Sequence, residues 1–423
     1  MKHRLSRCVH GSVLLFCLNS VSLSLFAQPS AEFPTLTLSE AIEKTLTNNP
    51  QLSQFNLTQQ QLVSQRESAS LSPGYELSFE LENFAGTGDV TGIDSAEITV
   101  ALSSVIELGD KRDSRLSVAN EWLNRVELDN HIQTLDVLGA LTQRFIELLT
   151  TQAEIKLNKE ATALSKALFS TVEKRARQGA ASDSEVMRAR ATLTRGRIQQ
   201  SNLQRKLERQ KVSLARFWGE TDVTFSKIDG DLFVFGESQS FSELYEKVRQ
   251  SPSVTIFASE VRLKEAEIRL AKAQGKADLS WQFGLRHFEE SGDAGLTLGV
   301  SMPLFSESRN RGAINASLSQ RNALELQRSE RLLALHDRLF SAYSLREQFI
   351  HAHTQLKVSV IPDLEKALRI TREGYDRGRL KYQDWIAAQQ ELINAKQQLI
   401  ETASAALLNQ ALIEQLSAEP LTN

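Results

Sequence analysis

Residues 111 to about 178 run without a proline and end at Gly179. Within them Leu116, Ala119, Leu123 and Val126, then Leu135, Leu138, Leu141, Phe145 and Leu148, keep the three- and four-residue spacing of coiled-coil-like packing. The pattern predicts a helix roughly 100 Å long at about 1.5 Å per residue. Globular helices average about 11 residues, so no single compact core accounts for it. A second run, about 308 to 376, ends at Gly378. Pro362 should kink or interrupt it near Ile361.

A different period precedes each rod. In 75–84, Tyr75, Leu77, Phe79 and Leu81 alternate with Glu76, Ser78, Glu80 and Glu82. In 95–107, Ile98, Val100, Leu102 and Ile106 alternate with Glu97, Thr99, Ala101 and Ser103. In the second half, 277–288 sets Leu279, Trp281, Phe283 and Leu285 against Ser280, Gln282, Gly284 and Arg286. In 294–305, Leu296, Leu298, Val300, Met302 and Leu304 alternate with Thr297, Gly299, Ser301 and Pro303. Period two over about ten residues predicts strands with one apolar and one wet face. The loops AGTGDVTGIDS and EESGD are turn material.

Helix-start signals recur at a fixed offset. Thr37 with Glu40 and Ser240 with Glu243 form capping boxes, and Asn49-Pro50 and Ser251-Pro252 restart a helix after each. These points are offset by 202 or 203 residues, and Gly179 and Gly378 by 199. The expectation is a duplication, 37–220 and 240–417, with 221–239 as a linker that can add a small strand. A returning helix follows each rod, about 182–218 and 382–416. Asp110 is expected to cap the first rod.

The N-terminus changes the picture. Lys2, Arg4 and Arg7 precede the apolar run VLLFCLNSVSLSLF and then Ala27, which reads as a signal peptide spanning 1–27. Both cysteines, Cys8 and Cys17, fall inside it, so the mature chain is expected to have neither disulfide nor thiol ligand. Losing the three cations moves the formal net charge from −3 to −6, with no basic patch for nucleic acid. No later segment has enough apolar residues for a spanning helix, so any membrane insertion must use strands. Residues 28–36 would be a short N-terminal extension and 418–423 a tail.

Two hairpins with apolar faces expose too much surface for water, and four strands leave open edges that lipid cannot satisfy. Three copies would supply twelve strands, enough to enclose a water-filled bore lined by Glu76, Glu80, Glu82 and Glu97. A soluble sheet covering a helical core is the competing reading.

Signal peptide, duplicated halves, a hairpin before each long helix and a glycine at each rod's end together resemble the TolC family of outer-membrane efflux proteins. LENFAGTGD followed by AEITVALSSVIELGDKR is similar to the heavy-metal cation-efflux branch, with Asp110 where that branch carries a second glycine. The resemblance implies a mixed α/β membrane protein: a homotrimeric twelve-stranded β-barrel in outer-membrane lipid, four strands per protomer, continued by an antiparallel coiled-coil helical barrel across the periplasm. It implies an exit duct for an inner-membrane resistance-nodulation-division pump joined by a periplasmic adaptor (membrane fusion protein), with no catalysis and no cofactor. Multidrug and type I secretion channels remain alternative readings of the cargo, and a soluble periplasmic coiled-coil adaptor is the alternative of another class.

Within that resemblance, RARQGAASDSE (175–185) and GYDRGRLKYQDW (374–385) match the family's periplasmic tips, glycine followed six residues on by an acid. Tyr375, Asp384 and Glu185 are the candidate gate residues. Arg177, Gly179, Arg377, Gly378, Arg379 and Lys381 are the candidates for the tip turns and adaptor docking. The same acids have a local reading, since Ser182 with Glu185 is a capping box and Asp384 sits in a first helical turn. His287, His351 and His353 are too dispersed to form a metal site by spacing.

Overall fold

A computed structural model describes residues 34–304 and 310–419. The expected signal peptide, both cysteines, most of the 28–36 extension, the start of the second rod at 308 and the end of the tail lie outside the described residues.

The chain begins with β1 (Thr35–Leu36), α1 (Leu38–Asn48) and α2 (Pro50–Ser70). The hairpin strands β2 (Glu76–Glu82) and β3 (Glu97–Ile106) follow. Then come α3 (Lys111–Arg177), a single helix of 67 residues, and α4 (Asp183–Ala215). A short β4 (Lys227–Ile228) leads into α5 (Phe241–Gln250) and α6 (Pro252–Gln274). The second hairpin is β5 (Leu279–Phe288) and β6 (Ala294–Ser301). The second rod comprises α7 (Arg311–Gln355), one π-helical turn (Leu356–Val360) and α8 (Ile361–Asp376). Helix α9 (Tyr382–Ser417) returns beside it.

The break in the second rod has a cause. Pro362 has no N–H to donate, and it sits in the first turn of α8 where none is needed. The π turn before it absorbs the mismatch, and the axis continues. Capping boxes start α1, α4 and α5, with Thr37, Ser182 and Ser240 each receiving the amide three residues on. Asn49 caps α2 through the amides of Gln51 and Leu52 at 2.8 and 3.1 Å. Its side-chain amide also donates to Phe217 O at 2.7 Å, just past the end of α4. Helices α2 and α4, both packed on α3, are thus pinned end to end, and together they match one long rod. Helices α6 and α9 line the second rod in the same way.

Asp110 departs from expectation. It occupies the residue before α3, but at φ 59°, and its side chain makes no capping bond. Gly109 before it has φ 81°, so two consecutive left-handed residues turn the strand into the helix and swing the Asp110 carboxylate away from the first amides. Asparagine and aspartate tolerate this conformation better than other non-glycine residues.

The main core sits at mid-height, where Leu141, Phe145 and Leu148 of α3 meet Leu214, Trp218, Phe225, Ile228 and Ile400. There β1 and β4 pair in parallel. The part of α3 nearer the hairpins is only half-buried: Leu116, Ala119, Leu123, Val126 and Leu135 all keep partial exposure.

Candidate functional site

Three regions carry the features that bear on function: the sheet, the joint between sheet and rod, and the far tip.

The four hairpin strands form one sheet in the order β2-β3-β5-β6, all antiparallel. Register fixes two faces. One carries rows such as Leu77–Leu102–Phe283–Leu298 and Phe79–Val100–Leu285–Leu296. Among the described residues no element covers it: Leu77, Phe79, Leu296 and Leu298 are 70–77 % exposed. Water penalises such a surface at about 25 cal/mol per Å². Tyr75 and Trp281, with ring centroids 6.3 Å apart, stand at the end of this face nearest the rods, where membrane barrels carry aromatic girdles. Strands β2 and β6 leave open edges.

The opposite face carries Glu76, Glu80, Glu82 and Glu97, together with Arg286, whose importance the sequence pattern alone did not reveal. Arg286 donates to Glu82 at 2.8 Å, Glu97 at 2.7 Å and Thr99 at 2.9 Å, crossing three strands. The acidic stripe is therefore half tied. A lone cation on the wet face of β5, opposite a hairpin that pairs Glu82 with Glu97, was the available signal.

The joint explains the run IELGDKR (106–112). Asp278 accepts from the Leu108 amide at 3.1 Å and from Lys111 Nζ at 2.6 Å, bracketing the turn. A Cβ on Gly109 would lie 2.1 Å from Lys276 Cδ. Arg115 grips Glu107 with both terminal nitrogens and also donates to Leu71 O at 3.1 Å and Ala69 O at 3.4 Å. Arg112 donates to Ser70 O at 2.7 Å. Helix α2 has no cation in its own last turn, so these two arginines supply the charge that its C-terminal carbonyls favour.

At the tip the two turns are built alike. Gly179 (φ 75°) and Gly378 (φ 71°) take the left-handed position that closes each rod. Ser182 N donates to Glu185 Oε2 at 3.2 Å, and Lys381 N to Asp384 Oδ2 at 2.9 Å, so each acid caps its own helix. Tyr375 is 4 % exposed and packs with Leu168, Val172, Ala189, Tyr382 and Trp385. Arg175 stacks over its ring at 4.6 Å and donates to its carbonyl. The Tyr375 and Tyr382 hydroxyls have no hydrogen-bond partner among the described residues. Burial pushes the Tyr375 phenol up, with Glu185 adding to the effect, and burial likewise raises Tyr382. Arg177 and Arg377 are exposed and pair with Glu173 and Glu373 one turn back. Among the described residues, Arg379 and Lys381 have no side-chain ion pair.

At mid-height a cavity of about 540 Å³ is lined by Phe145, Ile146, Leu149, Asp229, Gln410 and Glu414 among others. Beside it the segment after β4 is strapped to the second rod and to α9. Arg346 donates to Gly236 O at 2.6 Å, and Gly236 N donates to Gln410 at 3.1 Å. His353 lies between Phe233 and Phe235, 5.7 and 5.2 Å from their ring centroids, and burial lowers its pKa. Among the described residues no cluster of three His, Cys, Asp or Glu could hold a metal ion, and no helix is long and apolar enough to cross a membrane.

An uncovered apolar sheet face mounted on paired helical rods of this length is the layout expected of an outer-membrane channel of the TolC type. The comparisons agree. The outer membrane efflux protein family matches residues 41–220. The cobalt-zinc-cadmium resistance protein CzcC of Cupriavidus metallidurans is 22 % identical over 299 residues, 70 % of this chain and 71 % of that one. The fold is shared with CusC (TM-score 0.76, 14 % identity, 94 % of this chain and 96 % of that one). It is shared too with VceC of Vibrio cholerae (TM-score 0.72, 18 % identity, 90 % and 96 %). The chain thus resembles outer-membrane efflux proteins in sequence over its first half and outer-membrane channels in fold over nearly its whole length.

Proposed function

We propose that the protein is the exit duct of a tripartite resistance-nodulation-division system, assembled as a homotrimer. The observation that carries this reading is the uncovered apolar face of a sheet with two open edges. Lipid removes the cost of the face, and copies of the chain remove the edges by closing a twelve-stranded barrel. The wet face then lines the bore, and the rods continue it through the periplasm. The two halves, 37–220 and 240–417, are products of a duplication, joined by the segment 221–239.

The tips close the periplasmic end. Glu185 and Asp384 hold the turns in shape, and Tyr375 anchors them from inside. Gly179 and Gly378 set the turns, while Arg177, Arg377, Arg379 and Lys381 present cations to a periplasmic adaptor. The cargo is a heavy-metal cation, supported by the similarity to CzcC and by the joint sequence IELGDKR.

Outer-membrane fractionation followed by gel migration with and without heating tests the assembly: a heat-modifiable trimer is expected, and a soluble monomer refutes it. Deletion should sensitise cells to zinc, cobalt, cadmium or copper more than to detergents and dyes. The reverse order refutes the metal cargo and points to a multidrug duct.

A further inference from the structure

Glu82 and Glu97 stand directly opposite each other in the register of β2 and β3. Like charges in that relation repel, and the hairpin, 75–106, carries no Lys or Arg to offset them. Relief comes from the other half of the chain. Arg286 on β5 places Nη2 2.8 Å from Glu82 Oε2 and Nη1 2.7 Å from Glu97 Oε2, while its Nε donates to Thr99 Oγ1 at 2.9 Å. Asn83 donates to the other Glu97 oxygen at 2.9 Å. The trio sits at the loop end of the sheet, farthest from the rods: Glu82 ends β2 and Glu97 begins β3.

Two carboxylates converging on one point form a donor set that divalent cations accept. We propose that Arg286 is a resident counter-ion that keeps divalent cations from lodging between Glu82 and Glu97. The proposal rests on the reading of the polar sheet face as the bore lining. A conducting pathway must attract its ion and still release it. The sheet divides these tasks. Glu76 and Glu80, which have no ion-pair partner among the described residues, leave the lining net negative and attract cations. Glu82 and Glu97 would trap them, and the guanidinium occupies the trap. Arginine suits the role because it stays charged at every physiological pH and its fork spans both carboxylates.

The test uses purified trimers in planar bilayers with zinc ions added on the loop side. Wild-type current should change little in zinc. In R286Q the half-blocking zinc concentration should fall by roughly tenfold or more, because two uncompensated carboxylates are left facing each other. The triple variant E82Q/E97Q/R286Q should return to wild-type behaviour. R286K should fall between wild type and R286Q, since an ammonium cannot grip both partners. An assembled R286Q channel with wild-type zinc response overturns the proposal, as does a triple variant as sensitive as R286Q. If R286Q does not assemble, R286K decides, and a zinc sensitivity no greater than wild type overturns the idea. Failure of the wild-type protein to assemble and insert into the bilayer overturns the channel reading itself; normal conductance of R286Q with an unchanged zinc response removes only the role given to Arg286.

Discussion

Replacing Tyr375 by phenylalanine separates two roles for the tip. The ring is buried against Leu168, Val172 and Trp385, and Arg175 lies 4.6 Å above it; phenylalanine keeps all of these contacts. Only the hydroxyl is lost, and it has no partner among the described residues. A buried, unbonded polar group costs about 1–3 kcal/mol. Recovering part of that penalty should stabilise the tip by about 1 kcal/mol, a roughly fivefold fall in local opening. Hydrogen exchange of the purified protein, read over 165–190 and 370–390, measures it directly. Increased protection is expected in Y375F. Y375A, which removes the ring, should cost about 3–5 kcal/mol and strip protection from both turns. If Y375F instead loses protection and gains conductance, the hydroxyl is bonded across protomers, and the interior-anchor reasoning is wrong.

Other outcomes follow from the joint, the strap and the rod. R115K keeps the charge but loses the two-pronged grip on Glu107 and the reach to Leu71 O, so thermal melting followed by helical signal should show a loss of about 1 kcal/mol. A melt equal to wild type counts against the joint. Burial holds the pKa of His353 below its ordinary value, opposed in part by the hydrogen bond to Leu399 O and helped a little by Lys357. The unfolded strap binds the proton more readily, so its stability is complete above pH of about 6.5 and declines as pH falls below that. Exchange over 229–240 should rise at pH 5.5 in wild type and not in H353F; equal behaviour of the two refutes the assignment. P362A restores an N–H to the rod and should let α-helical bonding replace the π turn at 356–360, visible as slower exchange there; unchanged exchange would mean that packing of Ile361 against Leu392, not the proline, holds the turn.

Much of the rod-and-hairpin layout is local and therefore legible without a structure. Helix period, the missing prolines in 111–178 and the capping boxes at Thr37, Ser182 and Ser240 depend on neighbours three or four residues away. Strand alternation is local too, and it assigned Leu77, Phe79 and Leu298 to one face before any pairing was known. Asp110 shows where local reading fails. An aspartate before a helix looks like a cap, but the strand-to-helix turn forces it left-handed and its carboxylate away from the amides.

What the sequence by itself determined is the sorting of polar and apolar positions: two rods, four strands with one apolar face each, and turns at Gly179 and Gly378. What only the tertiary structure decided is which side chains meet across long separations. Arg286 reaches Glu82 from 204 residues away, Asp278 holds the Leu108 amide from 170, and Arg175 covers Tyr375 from 200. Those meetings depend on strand register and on which helices pack together, and no short window of the chain encodes either. The wet stripe is divided for that reason. It looked like four equivalent carboxylates in sequence, and the fold divides them into two that stand open and two that one guanidinium holds.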